Sequence, residues 1–313
     1  MTRKIIIDSD PGIDDAVALT MALFDPRLEV LAITATAGTV DAEQATANVG
    51  AIVSNLDPPR YPRVGKASPP DEAAVTDDSF LNGRSGLGDF EVSSTARQHL
   101  PASEKVMAEL LRAHPGEITI VCLGPLTNLA RLAQRDPAAL QQADKLVISG
   151  GAYRSPGNAS PVAEFNLHFD AVAAADVFAS PTTKSLVPLD VTNKITFGVD
   201  LLEQLPAKYT RAGGILHEML PHAFRMSHQR LGRELLPLID ATTIAAVLEP
   251  ELFEWTEMAG KVETQGLHTL GMSVFDRRLR PEWHDNMEVA LKADVDGVKQ
   301  LILRSLKYAG QHT

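Results

Sequence analysis

Short apolar runs of strand length alternate along this chain with stretches whose apolar residues recur at helical spacing, the pattern of a parallel sheet covered by helices on both faces. Residues 4–7 form the first run, and residues 14–24 follow at helical spacing. A strand over 28–37 and a helix over 42–56 complete a βαβ unit. Further strands are predicted over 118–123, 146–149 and 186–189, with helices over 126–134, 171–179, 214–230 and 242–248. The last third changes character: strands over 261–264, 271–275 and 287–293 precede a closing helix over 298–306. The fold class is therefore α/β, an open, mostly parallel twisted sheet with helices on both faces. No internal repeat, low-complexity tract or linker divides the chain, so one domain over 1–313 is expected. Two stretches rich in Pro, Gly, Ser and Asp, 67–91 and 154–161, look like surface insertions. In such sheets the ligand crevice lies beyond the carboxyl ends of the strands, which directs attention to the loops that follow them.

Composition narrows the partners. With 29 Lys and Arg against 40 Asp and Glu, the net charge of -11 offers no general attraction to a polyphosphate backbone or an anionic lipid surface, so neither nucleic acid nor membrane is an expected partner. The N-terminal MTRKIIIDSDPG lacks the apolar stretch of a signal peptide, and no segment reaches the roughly 20 apolar residues of a membrane span; a cytoplasmic protein is expected. The single cysteine, Cys122, sits inside an apolar run and reads as a buried structural thiol.

The first strand runs directly into Asp8-Ser9-Asp10-Pro11-Gly12-Ile13-Asp14-Asp15, four carboxylates within eight residues. One Asp here would be an ordinary helix cap and Asp-Pro-Gly an ordinary turn. Four together repel one another, and a bound divalent cation is the most direct compensation. Carboxylate and carbonyl oxygens without convergent His or Cys favour Ca²⁺, Mg²⁺ or Mn²⁺ over zinc. Calcium accepts about six to eight oxygens in loose geometry, which leaves room for a sugar diol and a water together.

The segment IIIDSDPGIDDAVAL at 5–19 resembles the signature of the nucleoside hydrolase family, the inosine-uridine preferring and related nucleosidases. LGPLTNLARL at 123–132, GGAYRSPGNASPVAEFN at 150–166, IDATTIAAVLEP at 239–250 and VETQGLHTLGMSVFD at 262–276 match in the same order, so the resemblance spans nearly the whole chain. It implies that Asp10, Asp15, the backbone carbonyl of Leu123 and Asp240 hold calcium, with Asp8 behind them. It also makes Asp10 the general base toward a calcium-bound water. Asp14, Asn166 and Asp240 would take the ribose 2′- and 3′-hydroxyls, and Asn158 and Glu164 the 5′-hydroxyl end. The implied substrate is a ribonucleoside and the implied assembly a homodimer or homotetramer. Taken singly, Asn158 could be a plain turn, Glu164 and Asn166 a strand's polar face, and Asp240 a helix cap.

Breaking a ribosyl N-glycosidic bond builds oxocarbenium character on the sugar and charge on the base, so both ends need assistance. The base end departs from the family pattern: Ile239 and Asn82 stand where His is common, and Thr39 where Asn is common. On the predicted helix 214–230, Phe224 and His228 share a face, with Arg225 beside them, and His228 is the expected leaving-group acid because its ordinary pKa suits proton donation near neutrality. Asn82 and Phe224 are expected to border the base, whereas Trp255 and Trp283 read as packing residues. Two other functions share parts of the pattern. A haloacid dehalogenase-type phosphohydrolase would use Asp8 as nucleophile and Asp10 as acid/base, and a calcium-dependent nucleoside- or ribose-binding protein could retain the ribose half without efficient catalysis.

Overall fold

The described residues of the protein, a computed structural model, are 2–74, 79–92 and 99–313, so the predicted insertion at 67–91 lies partly outside them. The strands in chain order are β1 (Arg3–Ser9), β2 (Leu28–Ala35), β3 (Arg63–Gly65), β4 (Ile118–Cys122), β5 (Lys145–Ser149), β6 (Lys184–Val187), β7 (Thr196–Phe197), β8 (Leu236–Pro237), β9 (Phe253–Met258), β10 (Gly260–Val262), β11 (Ser273–Phe275) and β12 (Met287–Ala293). Eight of them make one sheet in the order β3-β2-β1-β4-β5-β6-β12-β9, parallel throughout except for the antiparallel β12–β9 edge. The α/β class and the mostly parallel sheet are as the pattern predicts.

Both faces of the sheet are covered, and alternation within β1 explains how. Ile5 and Ile7 enter one apolar cluster with the helix Ile13–Phe24, while Ile6 enters a second cluster with β4 residues Ile120 and Cys122; all five side chains are fully buried. Burial drives the Cys122 thiol pKa well up, as suits a structural residue.

Because β2 and β4 flank β1 and their connections run in opposite directions along the sheet, the carboxyl end of β1 is a topological switch point, where a crevice opens. The turn after β1 is pinned there by its neighbours. Leu123 N–H donates to the Asp8 carbonyl at 2.7 Å and Thr36 N–H to that of Ser9 at 2.9 Å. Among the described residues no helix is long and apolar enough to cross a membrane.

Several elements differ from the pattern-based expectation. The helix Ser103–Ala113 and the strand β9 were not predicted; β9 reads FEWTEM, an edge strand with its charged residues exposed, so it carries no continuous apolar run. The closing helix is longer, Val295–Gln311, and starts where the Asp294 side chain accepts from Gly297 N–H.

Candidate active site

A cavity of about 360 Å³ opens at the carboxyl ends of β1, β4 and β5. The aspartate turn supplies Asp10, Asp14 and Asp15 to its wall, and the loop after β4 supplies Leu123. The segment after β5 contributes Asn158, Glu164 and Asn166, and the helix Ile239–Leu248 contributes Asp240. Residues dispersed over the chain thus meet around one space.

Local hydrogen bonding holds each in place. Asp15 is the third residue of the helix Ile13–Phe24; its carboxylate accepts from Ser9 Oγ at 2.6 Å and Gly12 N–H at 3.0 Å. Gly12, at the N-cap, has no side chain to cap that helix, and Asn82 does so from the end of the short helix Ser79–Asn82: its Oδ1 accepts from Ile13 N–H at 3.1 Å. Asn82 therefore lines the cavity while terminating a helix. Asp14 Oδ2 accepts from the amides of Ile239 and Asp240, at 2.5 and 3.0 Å, tying the turn to the start of the helix Ile239–Leu248. Asp240 lies in that helix's first turn rather than at the cap, which is Leu238, and accepts from Ser149 Oγ at 3.2 Å.

Asn166 donates through Nδ2 to the Leu123 carbonyl at 2.7 Å and to that of Ser149 at 3.1 Å. Glu164 is neither a strand residue nor simply a cavity carboxylate: it caps the helix Phe165–Phe169, accepting from the amides of Asn166 and Leu167, and also accepts from Gly151 N–H at 3.0 Å. Asn158 Oδ1 accepts from Phe165 N–H at 2.8 Å.

Asp10 occupies the tightest position. Its Oδ2 accepts from Thr39 N–H at 2.7 Å and Thr39 Oγ1 at 3.1 Å. A Cβ placed on Gly38 would come to 2.1 Å from that oxygen, and one on Gly124 to 2.5 Å from Oδ1. Both glycines leave the room that the carboxylate fills. Gly38→Ala is expected to displace Asp10 and, under the general-base role that the family resemblance implies for it, to lower kcat/KM by about 10²-fold, the scale of a roughly 1 Å misplacement of a reacting group. Steady-state base release with a parallel thermal melt checks this, and an unchanged rate would mean that Asp10 need not sit there.

The electrostatics are those of a site short of positive charge. Burial, followed by the charge of Asp15, drives the Asp10 pKa well above the ordinary carboxylate value. Burial and then Asp15, Asp14 and Asp10 do the same to Asp240. Burial raises Asp15. Asp14 is pushed up to about 7, by burial and the charge of Asp15 against the opposing amide hydrogen bonds. Asp14 Oδ1 is buried without a hydrogen-bond partner.

Asp8 faces elsewhere. Its Oδ1 accepts from Thr34 Oγ1 at 2.7 Å and Asn128 Nδ2 at 2.9 Å; burial pushes its pKa to about 7, and it is absent from the cavity wall. A phosphohydrolase nucleophile would have to face the substrate.

The residues expected from the sequence to border the base differ most from expectation. His228 is exposed, with Nδ1 3.0 Å from the Glu234 carboxylate, and neither it nor the buried Phe224 lines the cavity. Arg225 pairs with Asp89 at 2.8 Å. The helix face that does reach the cavity carries Leu220, Ala223, Ser227 and Leu231, one helical position off the face expected. Ile239 and Thr39 do line it. Trp255 packs against Phe253 and Trp283 lies beneath Lys261, outside the wall. Sequence reasoning missed Asn193, Ser227 and Arg233 on the wall, as well as the two glycines around Asp10; no local spacing signals them.

Comparison with known proteins bears on the family and the fold. The sequence matches the inosine-uridine preferring nucleoside hydrolases over residues 5–300. It is 37% identical over 309 residues to the non-specific ribonucleoside hydrolase RihC of Salmonella paratyphi B, covering 97% of this chain and 98% of that protein. Among solved structures, it resembles a plant nucleoside hydrolase at 28% identity and a TM-score of 0.88, covering 98% of this chain and 99% of the other. It also resembles a purine-preferring ribonucleoside hydrolase of Gardnerella vaginalis at 25% identity and a TM-score of 0.91, covering 99% and 100%.

Proposed function

The chain belongs to the nucleoside hydrolase family, and from that premise we propose that it is a calcium-dependent ribonucleoside hydrolase in which Asp10 is the general base. The observation that carries this reading is the meeting of Asp10, Asp14, Asp15, Leu123, Asn166 and Asp240 on one cavity wall.

The donor set fits a hard cation. Five lining carboxylates share the cavity with one cationic side chain, and the buried Asp14 Oδ1 lacks a donor. Among the described residues no three His, Cys, Asp or Glu side chains, Asp10, Asp15 and Asp240 included, are arranged to hold a metal ion as they lie. Those three carboxylates and the Leu123 carbonyl share the cavity wall, and they would have to close around an ion to hold it. Calcium held there would offset the carboxylate charge and make neighbouring water more acidic.

The chain's own residues then have distinct tasks. Asp14, Asp240 and the Asn166 side-chain oxygen accept from the ribose 2′- and 3′-hydroxyls, the Asn166 Nδ2 being engaged by the Leu123 and Ser149 carbonyls, and Asn158 and Glu164 bound the 5′ end. Holding the sugar this way fixes the anomeric carbon against the attacking water. Asp10 takes the proton from that water as the bond to carbon forms. The surrounding carboxylates favour the positive charge that develops on the ring.

A panel of ribonucleosides and their 2′-deoxy counterparts, followed by chromatography of the released base, tests the reading. Ribonucleosides are expected to be cleaved with kcat/KM at least about 10²-fold above the 2′-deoxy forms, since a site built around a hydroxyl strongly rejects its absence. Equal rates on both series would remove the ribose diol from the account. Phosphate release from phosphate esters without any base release would instead favour the phosphohydrolase. Tight nucleoside binding without turnover would favour the binding protein.

A further inference from the structure

We propose that Arg233 is the residue that assists base departure, its guanidinium pairing with the negative charge that accumulates on the leaving base. This rests on the hydrolase reading above and assigns the half of the reaction which that reading leaves open.

Cleavage moves the electron pair of the C1′–N bond onto the base while water gives its hydroxyl to C1′ and its proton to Asp10. The base then leaves as an anion, to be protonated from solvent, unless something on the wall gives it a proton or a counter-charge. Among the described residues the wall holds no His, Lys, Tyr or Cys, and Arg233 is its one cationic side chain. Ile239, the neighbour of the Asp240 carboxylate, has nothing to donate, and His228 is turned to Glu234 outside the cavity. That same contact occupies the carboxylate next to Arg233 in sequence, and Arg233 itself has no ion pair among the described residues.

The fold fixes where Arg233 stands. The helix Arg211–Leu231 ends at Gly232, which adopts the left-handed conformation (φ 63°); its N–H returns to the His228 carbonyl at 3.0 Å in an αL cap, and Arg233 N–H reaches the Ser227 carbonyl at 3.2 Å. Three residues later β8 pairs with β7, which anchors the chain again beyond Arg233. Arg233 and Leu231 are exposed, at the rim of the cavity, while Leu236 and Pro237 on the same wall are apolar and half-buried, so a base seated there would strip part of the water from the guanidinium and strengthen its interaction with charge. A guanidinium remains charged throughout the pH range of the reaction, so this assistance works by charge and hydrogen bonding rather than by proton transfer.

The test compares wild type, Arg233→Gln and Arg233→Lys on inosine and uridine and on p-nitrophenyl β-D-ribofuranoside, whose leaving group is already a stable anion. Arg233→Gln is expected to lose about 10²-fold in kcat on the nucleosides, to change less than about threefold on the nitrophenyl riboside, and to recover on addition of guanidinium chloride; Arg233→Lys falls between. An equal loss on both substrate types, or no loss on either, would overturn the assignment while leaving the hydrolase reading intact. Failure of the wild type to cleave any of these ribosides would overturn the hydrolase reading itself and this assignment with it.

Discussion

Asp10→Ala is expected to lower kcat/KM for any accepted ribonucleoside by at least about 10⁴-fold, because the change removes two functions at once. A positioned general base contributes typically about 10²- to 10⁴-fold, and the same carboxylate belongs to the proposed calcium set. Asp10→Asn separates the two in part: it keeps the size and a ligating oxygen but cannot take a proton from water. Its loss should approach that of Asp10→Ala if the base role dominates. Stability is expected to move the other way. In the ion-free protein the Asp10 carboxylate is buried beside Asp15 and Asp240 and pushed far above its ordinary pKa by that burial and repulsion, so neutralising it relieves strain. A melting temperature without calcium that is unchanged or higher, together with collapse of base release, is the paired signature. A variant that retained activity within tenfold would show that Asp10 does not carry the chemistry.

Removing calcium should be equally severe. Treatment with a chelator is expected to abolish base release to on the order of 1% or less, with recovery on adding calcium back. The stripped protein should also carry a distinctive pH dependence. Asp8 and Asp14 have folded-state pKa values of about 7 against an ordinary 3.8. Groups raised in this way contribute stability that is fully present below the unfolded value and is lost as pH rises through the folded one. The melting temperature of the ion-free protein should therefore fall between about pH 4 and pH 8. Calcium held by the charged carboxylates opposes the fall, so the stabilisation it gives should grow with pH over the same interval. Differential scanning calorimetry with and without calcium follows both trends; an ion-free melting temperature that climbed over this range would contradict the electrostatic picture.

The carboxylate-rich half of the cavity was legible in the chain because its signals are local and dense. Asp8 to Asp15 follow a strand directly, and the run Ile5 to Ile7 announces that strand with an alternation that the two buried clusters then satisfy. The GNASPVAEFN segment likewise carries Asn158, Glu164 and Asn166 within a few residues. What escaped notice depends on approach in space. Gly38 and Gly124 matter only because the Asp10 carboxylate lies against them. Asn82 caps a helix whose own N-cap is a glycine. On the helix Arg211–Leu231, composition favours His228, yet the rotation of the helix turns Ser227 and Leu231 inward instead. Arg233 follows the helix end, where no periodicity applies, and the left-handed cap that places it becomes visible only when Gly232 is seen at positive φ.

The central claim is that Asp10, Asp15, Asp240 and the Leu123 carbonyl surround one calcium ion in the ribose cavity. Crystals grown with calcium and measured for its anomalous scattering test it directly. The account predicts a single strong peak bounded by those four residues, with oxygens at about 2.3–2.6 Å; a well-ordered cavity with no peak, or a peak only elsewhere on the protein, would contradict it.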